Sequence, residues 1–274
     1  TLVNELAKQF SAEGERVAIV AVDPSSPFTG GALLGDRVRM QDLAGKKDIF
    51  IRSMASRGNL GGLASATAAV IKIFDAAQFG IVLVETVGAG QAEVEIANAA
   101  HTTLVIEAPG MGDDVQTSKA GILEIADILV VNKADRPGAL RTVRALEMML
   151  HVGQNGPAGH HGREVQSERV LQIDSREKWQ INVLQTIATE GEGIQELVRC
   201  VRSHRSYLLS TGEWTNREMQ RSRREMDRML RDRFMARFLH RIPEDSREQL
   251  VMAVVRREMD PYTAVDKLFE QFVE

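Results

Sequence analysis

Carboxylates recur at the ends of short apolar runs in this chain. GIVLVETVGAGQ, from Gly80 to Gln91, climbs through four apolar residues to Glu85 and then reaches Gly88 and Gly90. RVAIVAV, from Arg16 to Val22, ends in Asp23-Pro24-Ser25-Ser26, and Asp36 follows in the glycine-bearing stretch FTGGALLGD. Apolar runs of this length bounded by glycine or proline read as buried parallel strands. The C-terminal ends of such strands are where open α/β sheets bind ligands. A carboxylate placed there can hold Mg2+ directly or through water, and a following glycine admits a backbone N–H close to a terminal phosphate. On this reading Asp23 and Asp36 sit near one Mg2+ as part of a nucleotide-sensing switch, Glu85 can hold Mg2+ at its own strand end, and the glycine at Gly88 lets the backbone approach a phosphate. The plainer reading has Asp23 capping a turn before Pro24 and Asp36 in solvent.

A more specific signal follows. ADILVVNKAD runs a strand, Ile128 to Val131, straight into Asn132-Lys133-Ala134-Asp135. Guanine presents N1–H and its 2-amino group side by side, and one carboxylate, Asp135, can accept from both; adenine lacks that pair of donors. The Lys133 stem can lie over the base, and Asn132 can bond the base and tie loops together. Further on, NVLQTIAT (Asn182 to Thr189) reads as the last strand, with Ala188-Thr189 able to offer backbone N–H groups to the guanine carbonyl. Lys119, in the polar stretch GMGDDVQTSKAG, is either a solvated loop residue or part of a switch. His160 and His161 lack Cys or carboxylate partners at ligand spacing and read as loop residues.

The elements that must position these groups are legible. Helices are expected over Leu2–Glu13, from the 56–64 loop through Ala77, over Glu93–Ala100 and over Gly138–Val152, and a last one closes the domain near Gly212. Further strands are expected at Asp48–Met54 and Thr103–Pro109. Alternation of strand and helix makes this an α/β fold with a mostly parallel sheet flanked by helices. Composition changes after Gly212. TNREMQRSRREMDRMLRDRFMARFLHRI mixes Arg with Glu and Asp around a stripe of Met219, Met226, Met229, Leu230, Phe234 and Phe238, at amphipathic spacing. Pro243 interrupts it, and helices follow over Glu244–Glu258 and Pro261–Phe272. The expected division is a nucleotide-binding domain over 1–212 and a helical packing or dimerisation extension over 213–274.

Composition bounds the rest. With 274 residues, 43% hydrophobic and 26% charged, the chain is of ordinary globular make-up. A net charge of −4 gives no electrostatic case for nucleic acid, and no apolar run is long enough to span a membrane. The single cysteine, Cys200, excludes an intrachain disulfide framework and suits a reducing compartment. Thr1 begins directly in an amphipathic helix, whereas in mononucleotide-binding folds a strand and a glycine-rich loop precede such a helix. The chain is therefore read as a fragment starting at the last residue of that loop.

The stretches VDPSSPFTGGALLGDRVRM, VLVETVGAGQAE, PGMGDDVQTSKAGILEIAD and VNKAD, in that order, resemble the methylmalonyl-CoA mutase-associated GTPases, the MeaB/ArgK family with its mitochondrial branch in the cobalamin pathway. The resemblance spans essentially the whole chain. It implies a P-loop-type GTPase using Mg2+ and GTP/GDP that gates adenosylcobalamin delivery to a B12-dependent acyl-CoA mutase and protects that mutase, with the cobalamin held by the partner. Without the phosphate loop, the chain taken alone is expected to bind GTP weakly or not at all and to be inactive. Carried over by motif, Asp23, Asp36 and Glu85 surround the metal, Gly88 faces the γ-phosphate, and Lys119 belongs to an extra switch loop, so that Glu85 and Lys119 are the catalytic candidates. Asn132, Lys133 and Asp135 select guanine. Ala188 and Thr189, standing where the family usually has Ser-Gly, close over the base, and Thr1 contacts the α-phosphate. Gln91 lies two residues beyond the place of a water-orienting glutamine. The resemblance also implies a homodimer through the C-terminal helices, in the cytoplasm of a bacterium or the mitochondrial matrix of a eukaryote. The alternatives are a non-hydrolysing scaffold for the mutase, a nickel- or other cofactor-insertion GTPase, and a transport-system kinase.

Overall fold

The computed structural model describes residues 1–23, 40–43, 45–55, 60–86, 97–110, 125–155 and 178–273. Contacts divide the chain into two units, Thr1–Thr215 and Asn216–Glu274.

The first unit opens with helix α1 (Leu2–Ala12), which buries Leu2, Leu6, Ala7 and Phe10 along one stripe and ends before Gly14, a residue at φ 87°. That left-handed backbone is open to glycine at no steric cost, so the helix stops there. Strand β1 (Val17–Asp23) follows, then a 3-10 turn (Gln41–Leu43), β2 (Ile49–Ala55), α2 (Leu60–Ala76) and β3 (Ile81–Thr86). Next come β4 (Leu104–Glu107), β5 (Ile128–Asn132), α3 (Ala139–Asn155), β6 (Asn182–Thr186) and α4 (Ile194–Thr211).

The strands form two parallel triplets, ordered β2-β1-β3 and β4-β5-β6. Their centres, β1 and β5, are buried on both faces: Val17 through Ala21 and Ile128 through Val131 are fully inaccessible. This is why both read as continuous apolar runs rather than alternating ones. One core joins the two triplets. Val17, Ile19 and Ala21 of β1 and Ile128 and Val130 of β5 pack with α1 residues and with Ile194, Leu197 and Val198 of α4. On the opposite faces, Ala18, Val20 and Val22 meet Phe74 of α2, while Leu129 and Val131 meet Val143 and Leu146 of α3. The result is a helix–sheet–helix sandwich, the expected α/β class.

At the N-terminal ends of β4 and β5, a buried polar knot closes the sandwich. The Asp127 carboxylate accepts from the Thr103 amide at 2.8 Å and lies 3.3 Å from His204 Nε2. Trp179 Nε1–H donates to the Asp127 carbonyl at 2.8 Å, and His204 Nδ1 is 2.9 Å from Thr102 Oγ1. His204 is fully buried; Thr102 meets its Nδ1, while its Nε2 lies beside the Asp127 carboxylate without hydrogen-bond geometry.

The second unit is helical. Helix α5 (Glu213–Arg241) enters it, followed by α6 (Glu244–Val255), with Pro243 at its N-cap, and α7 (Pro261–Val273). Phe238 packs against Phe269 with ring centroids 4.8 Å apart. Among the described residues no helix is long and apolar enough to cross a membrane.

Several boundaries differ from expectation, two of them for a visible reason. The last strand stops at Thr186 rather than Thr189, because the Ile187 amide turns to bond Glu192 O and starts a tight loop. The second C-terminal helix stops at Val255 rather than Glu258, and Arg257 takes φ 60° just beyond it. Of the expected Glu93–Ala100 helix, residues 93–96 lie outside the described residues, and Ala97–Ala100 form a turn.

Candidate functional site: the C-terminal ends of the strands

Parallel register aligns the described candidate groups within each triplet. Between β1 and β3, Ala21 stands opposite Glu85 and Val22 opposite Thr86, so Asp23 and Glu85 lie at adjoining strand ends. Ile81 and Leu83 pack into the core under α1, and the alternation of a strand puts Glu85 on that same face, half-buried. Thr1 sits at the N-cap of α1, exposed, its carbonyl accepting from the Glu5 amide at 3.2 Å. Asp36, Gly88, Gln91 and Lys119 lie outside the described residues, as do His160 and His161. Among the described residues no group of three His, Cys, Asp or Glu side chains could hold a metal. The ends of β1 and β3 thus set two acidic residues at adjoining positions, and Mg2+ in general takes one or two carboxylates with phosphate and water as its other ligands.

Just beyond the stretch containing Asp36, the chain is pinned to α1. Met40 and Leu43 are buried in the core. Asp42 accepts from Asn4 Nδ2 at 3.1 Å and pairs with Lys8 at 2.6 Å. The hydrogen bond from Lys8 holds the Asp42 carboxyl below the usual carboxylate range, and the same contact raises Lys8.

Asn132 ends β5, and its Oδ1 accepts from Thr186 Oγ1–H and from the Ala188 amide, both at 3.2 Å. Lys133 adopts φ 57°, a left-handed conformation that costs a non-glycine residue about 1 kcal/mol. Bonds on both sides hold it: Ala134 N–H donates to Thr186 O at 3.1 Å and Arg136 N–H to Lys133 O at 3.0 Å. The turn leaves the Lys133 and Asp135 side chains exposed, Asn132 half-buried and Thr189 exposed, while Ala188 is buried.

The loop carrying Ala188 and Thr189 is closed by Ile187 N–H to Glu192 O at 3.1 Å and by Glu190 N–H to Ile187 O at 3.0 Å. At Gly193, φ 74°, a β-carbon would run into the Gln185 carbonyl, so only glycine permits this loop to return against its own strand. The structure therefore brings Asn132, Lys133, Asp135, Ala188 and Thr189 to one place. It adds Thr186, which a sequence reading misses because its partner is 54 positions away. The arrangement offers an exposed carboxylate, an amide and a backbone loop, the donor and acceptor types that a purine edge needs.

Residues 1–242 match the family model described as methylmalonyl Co-A mutase-associated GTPase MeaB. A GTPase-named protein of Pyrococcus abyssi is 39% identical over 273 residues, covering 100% of this chain and 79% of its own length. GTPase ArgK of Escherichia coli is 32% identical over 261 residues, 94% of this chain and 73% of its length. The mouse protein named methylmalonic aciduria type A homolog, mitochondrial, is 29% identical over 279 residues, 99% of this chain and 62% of its length. Among solved structures, one described as a LAO/AO transport system kinase superposes with a TM-score of 0.66 at 23% identity, covering 100% of this chain and 77% of that one, and so shares the fold. The chain belongs to the methylmalonyl-CoA mutase-associated GTPase (MeaB) family.

Proposed function

We propose that the protein binds a guanine nucleotide across the C-terminal ends of β1, β3, β5 and β6, hydrolyses GTP, and uses that cycle to gate adenosylcobalamin delivery to a B12-dependent acyl-CoA mutase. The observation that carries the nucleotide part is the Asn132–Thr186–Ala188 junction, which holds the Asp135 turn and the Ala188–Thr189 loop together beside an exposed carboxylate. Asp135 accepts from guanine N1–H and the 2-amino group. Thr189 and the Ala188 end of the loop cover the base, and Thr1 at the start of α1 lies toward the phosphates, where a helix N-terminus favours negative charge.

Glu85 and Asp23, with Asp36, are the carboxylates that would hold Mg2+, which when bound neutralises charge on the β- and γ-phosphates. Water attacks the γ-phosphorus in line with the departing GDP, so the chain's own part is positioning and electrostatics. Gly88 admits a backbone N–H to the γ-phosphate. Lys119 and Glu85 couple the nucleotide state to the partner. Gln91, set beyond the usual water-orienting place, leaves intrinsic turnover slow and open to acceleration by the mutase.

The mutase assignment is supported by the family's description as mutase-associated and by the mouse relative's name. The cobalamin stays on the partner. A homodimer through the C-terminal helices is supported by the exposed apolar stripe of α5, and the division into 1–212 and 213–274 separates nucleotide work from association. The compartment is the cytoplasm in a bacterium or the mitochondrial matrix in a eukaryote.

Phosphate release from GTP, measured with the full natural protein with and without acyl-CoA mutase, tests this. We expect slow release that the mutase accelerates at least about tenfold and that Glu85→Gln abolishes. Binding of mutase without any phosphate release would replace the enzyme reading with a scaffold.

A further inference from the structure

We propose that Met219, Met226 and Met229 of α5 are a modification site, at which oxidation by a peroxide to the sulfoxide switches off association through this helix. The inference rests on the reading of α5 as an association surface and adds the regulation of that surface. Four of the chain's 11 methionines, Met219, Met226, Met229 and Met235, lie within the 29 residues of α5. At about 100° of turn per residue, Met219, Met226 and Met229 fall within about 80° of arc, with Leu230 beside them. All three are between 45% and 63% exposed, whereas Met40 in the first unit is 3% exposed. Leucine would build a plain apolar stripe as well, since the two residues are close in helix propensity and volume. Methionine differs in giving the stripe an atom that oxidises.

Sulfur chemistry sets this helix apart from the rest of the chain. The single thiol, Cys200, is half-buried, and burial pushes its pKa up, so the thiolate that reacts with peroxide is scarce. A thioether has no proton to lose. Its lone pair attacks one oxygen of hydrogen peroxide, and the S–O bond forms as the O–O bond breaks. The departing hydroxide takes the proton left on the transferred oxygen and leaves as water. Sulfur gives up two electrons and the peroxide accepts them. A flexible apolar side chain becomes a polar one, and the change is reversible by reductases.

An apolar face associates because water leaves it. A sulfoxide oxygen is a strong acceptor that must lose its water when the face is covered, so each one opposes association. The three positions run along about 15 Å of helix, and a partner lying on the stripe meets them all. The nucleotide site uses none of them. Association in turn covers the sulfurs, so the free chain is the species that oxidises.

Hydrogen peroxide added to the full natural protein tests this, with sulfoxides mapped by peptide mass and association read by sedimentation. Met219, Met226 and Met229 should oxidise at least about tenfold faster than Met40. The dissociation constant for self-association should rise at least about tenfold, with GDP affinity unchanged. A triple variant, Met219→Leu with Met226→Leu and Met229→Leu, keeps the stripe apolar and should stay associated through the same treatment, although Met148, 70% exposed on α3, still oxidises. A triple variant that dissociates as wild type does overturns the proposal, and so does wild type that carries the three sulfoxides and still associates. GDP affinity lost in step with association reports general damage and overturns it too. Should the triple variant fail to fold, methionine sulfoxide reductase acting on oxidised wild type decides: sulfoxides removed without return of association overturn the proposal. A wild type that is monomeric before any peroxide overturns the association reading and this inference with it.

Discussion

Helices α4 and α5 are separated in the chain only by Gly212, and both carry apolar residues at helical spacing, yet they use them differently. The 18 residues of α4 bury Ile194, Leu197, Val198, His204 and Leu208, most of them against the sheet. The 29 residues of α5 bury only Phe238, and leave Met219, Met226, Met229, Leu230, Phe234 and Met235 exposed. Periodicity thus reports that a helix has an apolar face, and not what covers it. A face used within the chain raises the stability of that chain. A row of large apolar side chains left in water lowers its energy only when something else is brought to it.

This contrast can be broken or sharpened by substitution. The largest effect is expected at the nucleotide end of the first unit. Asp135→Asn places an amide donor against the guanine donors and should cost about a thousandfold in GDP affinity while leaving the molecular mass in solution unchanged. The same variant should gain xanthosine diphosphate, which has a carbonyl where guanine has its amino group. Isothermal titration with both nucleotides checks this, and a variant that still prefers GDP would remove Asp135 from base recognition.

Next in size is the core face of α4. Leu197 is fully buried, and Leu197→Ala should lower unfolding stability by about 3 kcal/mol. Met226→Ala on α5 should change it by less than about 0.5 kcal/mol at protein concentrations where the chain is monomeric. Equal costs in urea melts would mean that the two faces are not different after all.

The third test turns the comparison around. Phe234→Asp together with Leu230→Asp should weaken self-association at least about tenfold, read by sedimentation, with GDP affinity untouched. An unchanged mass would leave the stripe to the mutase rather than to a second copy. A smaller loss belongs to the glycine between the two helices. Gly212 caps α4 at φ 80°, and Gly212→Ala should cost about 1 kcal/mol of thermal stability.

These elements also show where a sequence speaks and where it falls silent. The strand ending in Asn132 was legible because a buried parallel strand must be apolar throughout and the residues after it must then be polar. The carboxylate ends of β1 and β3 were legible for the same reason, and the register that sets them side by side follows from parallel pairing. Thr186 was not, since a threonine in a strand is explained by β-propensity alone and nothing local marks a hydroxyl whose partner lies on another strand. The end of β6 was misplaced because the bond from Ile187 to Glu192 competes with strand extension through residues that follow it. The knot of Asp127, Trp179, His204 and Thr102 was invisible, being assembled from four separate parts of the chain.

That knot has an optical consequence. The chain has two tryptophans, Trp179 and Trp214, and both lie in the first unit, ahead of Asn216. Trp179 stands with its ring 4.7 Å from His204, and Trp214 is stacked on His101 at 3.7 Å. The second unit has tyrosine but no tryptophan. Tryptophan-selective emission therefore follows the sheet unit alone, whereas far-ultraviolet dichroism weighs both. A denaturation curve seen earlier by dichroism than by emission would be the helical arm melting first, recorded in the unmodified protein without a label.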